Sequence, residues 1–283
     1  MVRSKQLEAR LMMLSVVAFA CARLLDGGRT LLLSAGRVNV AHQGQGIIRQ
    51  LLRHIKASYS SRTGILHDIY ATDGGHPILS QVSKQCISEV LTRRVHCFTF
   101  PVNDLPLEAL PLLDTQISTP THQHLVKLMS PDKPNRHLFP GGRLVVDWIP
   151  LRTDPHNVPF MNSNVCYYTG KYPEQECLSF GTGYQCKLGL AYNLDIYGSH
   201  PQSLRAHVQR HLLQIAHSVQ RNQEHCSDVN KAHSANHDQI HLLIFTCMSV
   251  DTAIQETLHK LGFSETEWPV KTQVVMEKCF TKE

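Results

Sequence analysis

Leu31–Lys56, LLLSAGRVNVAHQGQGIIRQLLRHIK, switches its hydrophobic period partway along, and the reading of that switch decides the fold. Leu31, Leu32 and Leu33, then Val38 and Val40, supply apolar and β-branched residues for two short extended segments. Gly44 and Gly46 follow at the change of period. After them Ile47, Ile48, Leu51, Leu52 and Ile55 fall on one face of a helix, with Arg49, Arg53 and Lys56 on the other. Strand, glycine turn and helix in that order bring backbone amides close to an anion, and the helix dipole favours negative charge there. A pyrophosphate is the ligand this pattern points to, although a plain turn between strand and helix has the same outline.

Upstream, Val16–Leu25 reads as a strand, Asp26-Gly27-Gly28 as a hairpin turn and Thr30–Leu33 as the returning strand. Leu11–Ala22, LMMLSVVAFACA, preceded by Arg3, Lys5 and Arg10, also has the outline of a signal peptide. It is too short to span a bilayer, and it runs straight into the hairpin, so the strand reading is kept. Downstream, Gly64–Tyr70 reads as a strand, Pro77–Leu91 as a helix and Arg94–Phe100 as a strand. The order β–loop–α–β–α–β is an α/β unit.

Pro101, Pro106, Pro111, Pro120, Pro131, Pro134 and Pro140 punctuate a linker with short helices expected at Leu107–Leu113 and His122–Met129. Beyond it Arg143–Leu151 is expected as one strand, with Trp148 a packed aromatic and Asp147 a capped carboxylate. Then come a strand at Tyr184–Tyr197, a helix at Gln202–Val219, a strand at Ile240–Met248, a helix at Thr252–Leu261 closed by Gly262, and a strand at Val270–Phe280. The first order thus recurs. Its turn, Gly198-Ser199-His200-Pro201, has one glycine and a proline lacking a donor, so phosphate binding is not expected there.

Composition narrows the class. The chain has 283 residues, 42% hydrophobic and 18% charged, enough for one large or two ordinary domains with a full core. A net charge of +5, spread along the chain, argues against a nucleic-acid partner. Nine scattered cysteines without a C-x-x-C pair point to reduced thiols and a cytoplasmic location. Cys166, Cys177 and Cys186 could hold one disulfide only in an oxidising compartment. His233, His237 and His241 have i, i+4, i+8 spacing, but Ser234-Ala235-Asn236 reads as loop, so no metal is expected.

RVNVAHQGQGIIRQLLRHI resembles the acetyl-CoA loop of the GNAT acetyltransferases, Arg/Gln-x-x-Gly-x-Gly/Ala after a strand. More narrowly, Val16–Asn39, FPGGRLVVDWIPL and YNLDIYG resemble the vertebrate histidine N-acetyltransferase family and its relatives described as N-acetyltransferase 16. The resemblance implies an α/β GNAT (acyl-CoA N-acyltransferase) fold, a mixed sheet flanked by helices, with a second, degenerate GNAT-like domain. Residues 1–103 would form the acetyl-CoA-binding domain, 104–140 a Pro-rich linker and 141–283 the degenerate copy. Val16–Leu25 would then be the third strand of its fold, leaving almost no room in Met1–Ser15 for the strand and helices usually placed before it. Those helices form part of the acceptor wall, and without them apolar sheet surface would be uncovered.

The same resemblance implies acetyl-CoA as co-substrate and a small amine or amino acid as acceptor, free L-histidine through its α-amine foremost. Val38 and Val40 would border the pantetheine through backbone groups. Gln43, Gly44, Gln45, Gly46 and Ile47 would cup the phosphates with amides, and Arg49 would add a charge-assisted contact. Ala41 stands where the family has Gln or Arg, and Gln43 where Arg is usual. One lost contact of this kind costs roughly 1–3 kcal/mol. No tyrosine lies between Thr72 and Phe100 to protonate the departing thiolate, leaving Cys86 or His76 as substitutes, and no glutamate lies between Ala9 and Ser88 to act as base. The catalytic residues are therefore not assigned, nor is the oligomeric state. The alternative is a catalytically weak or inactive paralogue that acts by binding partners.

Overall fold

The computed structural model describes residues 16–62, 64–75, 87–101, 117–130, 138–161, 166–172, 175–186, 189–225, 239–246 and 251–280. Its first element is a hairpin of β1 (Ala18–Leu25) and β2 (Thr30–Val38), turned by Asp26-Gly27-Gly28. Gly27 and Gly28 have φ of +67° and +90°, which glycine adopts without penalty. Asp26 is buried at the turn, where its carboxylate accepts from Thr30 Oγ1 and from Asn157 Nδ2 at 2.6 Å. The two expected extended segments are one strand with a bulge: the pairing shifts by a residue opposite Phe19–Cys21, and Ala35 takes φ +54°.

Helix α1 (Ile47–Tyr59) crosses from β2 to β3 (His67–Asp73). The parallel pairing of β2 with β3 is short, Thr30 with His67, Leu31 with Asp68 and Leu32 with Ile69. Beyond Leu32 and Ile69 the two strands part. The far edge of β3 is taken by β12 (Thr272–Cys279), which lies antiparallel between β3 and β4 (Ile87–Pro101). The expected helix over 77–91 therefore fails at its end: Ile87–Leu91 are strand, paired along β12, and 76–86 lie outside the described residues.

Strand β4 is 15 residues long and serves two neighbourhoods. Ile87–Arg94 pair with β12, whereas Arg94–Pro101 pair with β10 (Gln239–Thr246). The sheet continues through β9 (Gly189–Tyr197), β8 (Gln175–Cys186) and β7 (Cys166–Tyr172), and the short β11 (Ser264–Thr266) also lies on β4. All ten strands form one mixed sheet. The strand read at Tyr184–Tyr197 is thus two strands of a hairpin, β8 and β9. Likewise Arg143–Leu151 folds as a second small sheet, β5 (Arg143–Val146) against β6 (Ile149–Arg152), because Asp147 and Trp148 both take positive φ and reverse the chain.

The helices α2 (His122–Leu128), α3 (Pro201–His225) and α4 (Asp251–Lys260) complete the fold. Thr121 caps α2, its hydroxyl accepting from His124 N. One core joins Leu25, Leu32, Ile69, Leu91 and Val275 of the strands to Leu125, Leu128, Met129, Leu138, Phe139, Leu144, Val158 and Met161. The sheet face expected to be bare is covered by residues drawn from 117–161. A second core packs α3 and α4 through Leu204, Val208, Leu212, Ile254 and Leu258 onto β4, β9 and β10.

The described cysteines, Cys21, Cys97, Cys166, Cys177, Cys186 and Cys279, are free thiols. Among the described residues no helix is long and apolar enough to cross a membrane.

Candidate functional site

Val38 ends β2, and Val40 has already left the strand for a single 3₁₀ turn, Val40–His42. That turn is set by Asn39, whose side chain accepts from Ala41 N at 3.0 Å. Gln43 Nε2 reaches back to Val38 O at 3.4 Å. Gly44 and Gly46 then take φ of +76° and +74°, and a Cβ on either would meet nothing within 4 Å. The glycines are needed for conformation and not to avoid a clash, so the space above the loop is open.

Gly46 caps α1 in the left-handed conformation with no side-chain hydrogen bond to the helix. The first in-register bond is Gln50 N to Gly46 O at 3.1 Å, so the amides before it have no intrahelical acceptor. Residues Gln43–Gly46 and Arg49 are exposed, Ile47 is half-buried, and no acidic residue stands in the first turn. The Gln43 amide, expected from sequence to face the phosphates, donates instead to Val40 O at 3.3 Å, so the run of N–H groups without a backbone acceptor at the positive end of the helix dipole begins at Gly44. The structure brings Gln43, Gly44, Gln45, Gly46, Ile47 and Arg49 together there, with Val38 at its root and Val40 on its rim, 81% exposed.

The loop stands at the open end of the gap between β2 and β3. Lys56 of α1 pairs with Asp68 of β3, which fixes α1 over one face of that gap. Tyr70 lies one residue beyond the last registered pair. Its hydroxyl is buried without a hydrogen-bond partner, and burial, aided by the Asp68 charge, pushes its pKa above the usual tyrosine range. Its ring packs against Ile87, Val274 and Met276 of β4 and β12. Tyr70 lies in the strand after the loop helix, just before the Thr72–Phe100 span in which a proton donor is expected from sequence. His76 and Cys86, the substitutes named from sequence, lie outside the described residues.

The second half has no such opening. Strands β9 and β10 pair in parallel without a break from Leu190–Ile240 to Asp195–Phe245, and all nine residues of β9 are buried. Behind them Ser179 Oγ lies 2.6 Å from His207 Nδ1 and 2.8 Å from His211 Nε2, and Tyr192 OH lies 2.8 Å from His211 Nδ1. This polar cluster is buried and packs α3 on the sheet, with His207 Nε2 left without a hydrogen-bond partner. Of the three histidines with zinc-like spacing, His241 lies in β10, and 233 and 237 are outside the described residues. Among the described residues no group of His, Cys, Asp and Glu could hold a metal.

Residues 114–227 match the family model described as "Histidine N-acetyltransferase, C-terminal". The matched stretch, 114 of the 283 residues, is similar to the N-acetyltransferase class of enzymes. Within that class the resemblance is to the histidine N-acetyltransferase family, and the two signatures FPGGRLVVDWIPL and YNLDIYG fall inside the matched region. No curated protein sequence gives a significant match. Among solved structures, a tandem GNAT protein from the clavulanic acid biosynthesis pathway superposes with TM-score 0.46 at 13% identity, covering 94% of this chain and 79% of the other. A GCN5-related N-acetyltransferase from Sphaerobacter thermophilus gives 0.43 at 10%, covering 93% and 77%. The Saccharomyces cerevisiae N-myristoyltransferase with bound myristoyl-CoA gives 0.47 at 9%, covering 93% and 63%.

Proposed function

We propose that this chain is an acetyl-CoA-dependent N-acetyltransferase whose acceptor is the α-amine of a free amino acid, L-histidine first among the candidates. The observation that carries the reading is the conjunction of an exposed, uncapped glycine loop with the forked pair β2 and β3. The residues fit the co-substrate: open space over Gly44 and Gly46 admits a pyrophosphate, and the unpaired strand edges beyond Leu32 and Ile69 offer backbone groups to an amide-bearing arm. When bound, acetyl-CoA supplies an activated acyl group, and transfer needs only a neutral amine held against it.

The roles of the chain's own residues follow from their positions. Amides of Gly44–Ile47 bind the diphosphate, the Gln43 amide being taken by Val40 O, and Arg49 adds charge. The edge of β2 up to Val38 orients the arm. Tyr70 keeps its proton at neutral pH and can give it to a departing thiolate. The two halves, with limits near 103 and 141, are read as a working copy and a closed copy of one motif. Reduced cysteines suit a cytosolic setting.

Calorimetric titration of the full chain with acetyl-CoA tests the reading. Heat of binding is expected, and Gly46→Glu, which sets a carboxylate against the phosphates, should weaken affinity at least about tenfold. Tyr70→Phe should bind like the parent and acetylate histidine more slowly. A folded parent that takes up no acetyl-CoA overturns the assignment.

A further inference from the structure

A cavity of about 400 Å³ opens among Arg29, His67, Arg143, Arg152, Thr153 and Asp154. It lies on the sheet face away from α1. Asp68 points to α1, whereas His67 and Ile69, its neighbours along β3, point to the opposite face, where Ile69 joins the core with residues of 117–161. Arg29 immediately precedes β2, and His67 opens β3. The cavity therefore begins roughly 7–10 Å along the strands from the point where they part. The glycine loop stands at the open end of this strand pair, and the cavity at its paired end on the face away from α1.

The wall facing the cavity holds three guanidinium groups and one carboxylate. Arg29 is paired with Asp154. The balancing acids stand outside the lining: Glu277 of β12 takes Arg143, Arg152 and, at 3.0 Å, His67 Nδ1, and Asp26 lies 3.5 Å from Arg152 Nε. Arg143 is the best-held cation, with 5% of its side chain exposed and an Nε that is buried without a hydrogen-bond partner. Burial and the neighbouring Arg152 lower its pKa to about 10, and burial, Arg152 and Arg143 also hold His67 below its usual range. Arg152 lowers the pKa of Arg143 and Arg29 that of Arg152, while Asp154, Glu277 and Asp26 match the three cations in number, so a bound carboxylate would share the guanidinium N–H groups with these acids. Thr153 adds a hydroxyl, and Leu66, 55% exposed, gives the rim an apolar surface.

We propose that this cavity is the acceptor pocket and that Arg143 and Arg152 bind the carboxylate of an amino-acid-sized substrate there. The proposal rests on the acetyltransferase reading for the word acceptor, but the recognition of a carboxylate stands on the cavity alone. A fork of planar N–H donors matches a carboxylate in two-point contact, and the volume suits a small molecule.

The test uses the full chain without acetyl-CoA and two probes differing only in the carboxylate, N-acetyl-L-histidine and N-acetylhistamine, titrated by ligand-observed NMR. The carboxylate compound should bind at least about tenfold more tightly. That preference should disappear in Arg152→Met and in Thr153→Trp, with thermal unfolding run alongside. If both variants unfold, the comparison of the two probes on the parent still decides. Equal binding of the probes, or none of either at about 10 mM, overturns the proposal. So does displacement of the carboxylate probe by inorganic phosphate at lower concentration, which would mark a phosphate site. A carboxylate preference in a chain that binds no acetyl-CoA would keep the pocket and remove the glycine-loop reading. The reverse result would do the opposite.

Discussion

The two parallel strand pairs of this molecule have been treated differently by the same topology. In the first, β2 and β3 are registered over three residue pairs and then diverge, and the crossover helix α1 has no buried residue. In the second, β9 and β10 are registered over six, and α3 buries Leu204, Val208, His207, His211 and Leu212. The first crossover begins at an open glycine loop, the second at His200-Pro201, which removes a donor. Stability and opening trade against each other here. A parallel pair kept open must give up ladder bonds and helix burial, and the closed pair supplies a rigid body to hold it.

The junction of the two should be the most sensitive place. Arg93 is fully buried where β4 leaves β12 for β10. It donates to Asp195 Oδ1 at 2.5 Å, Gln273 Oε1 at 3.0 Å and Tyr197 OH at 3.0 Å. Arg93→Met leaves Asp195 buried without its partner and should cost about 3–5 kcal/mol in urea unfolding. A cost below about 1 kcal/mol would mean that the halves are not joined through this ion pair.

Acid should next distinguish the halves. Burial pushes His207 down to about 3. Burial, with His207 and Arg210 nearby, pushes His211 well below its ordinary 6.5. The other groups facing the pair are Ser179, Tyr168 and Tyr192, none of them anionic at neutral pH. Both imidazoles are neutral in the fold and take a proton on unfolding below pH 6.5. The stability is therefore intact above that pH and declines toward pH 3. Two such groups give a loss of roughly 2–3 kcal/mol between pH 7 and 5.5. Urea titrations followed by tryptophan fluorescence should show it, since Trp148 packs edge-on against Phe245 of β10. A flat profile would show that the cluster is hydrated.

A paired glycine test is the mildest. A Cβ at Gly181 would run into Tyr192 OH and His211 Nδ1, so Gly181→Ala should destabilise by about 1–3 kcal/mol. Gly44→Ala meets nothing and should cost about 1 kcal/mol or less, from its positive φ alone. Equal losses in thermal unfolding would contradict the contrast between the open and the closed strand pair.

Much of this architecture was legible because local signals and tertiary needs agree. The Asp26-Gly27-Gly28 hairpin, the glycine loop and the α1 stripe each follow from a few neighbouring residues. The hairpin of β5 and β6 was hidden for the opposite reason. Asp147 and Trp148 turn with positive φ although neither is glycine, and the turn is held from far away: Asp147 N donates to Asp195 Oδ2 at 3.0 Å and Asn193 Nδ2 to Asp147 Oδ1 at 2.7 Å. Ile87–Leu91 look helical by spacing, but pairing with β12, almost two hundred residues later, makes them strand. In the candidate site, the contiguous loop could be read directly. Tyr70 and the arginine-lined cavity could not, since their meaning depends on where strands part and on residues from four separate segments.

The placement of β12 bears on biosynthesis. Its strand fills the slot between β3 and β4, yet it is the last described strand to be made. The fork beside the glycine loop therefore has no finished neighbour until residues 272–279 have left the ribosome. Until then β3 and the first half of β4 present unpaired edges, which invite pairing with other chains. A nascent chain halted before residue 272 would hold every residue of the loop and lack the strand that sets its frame.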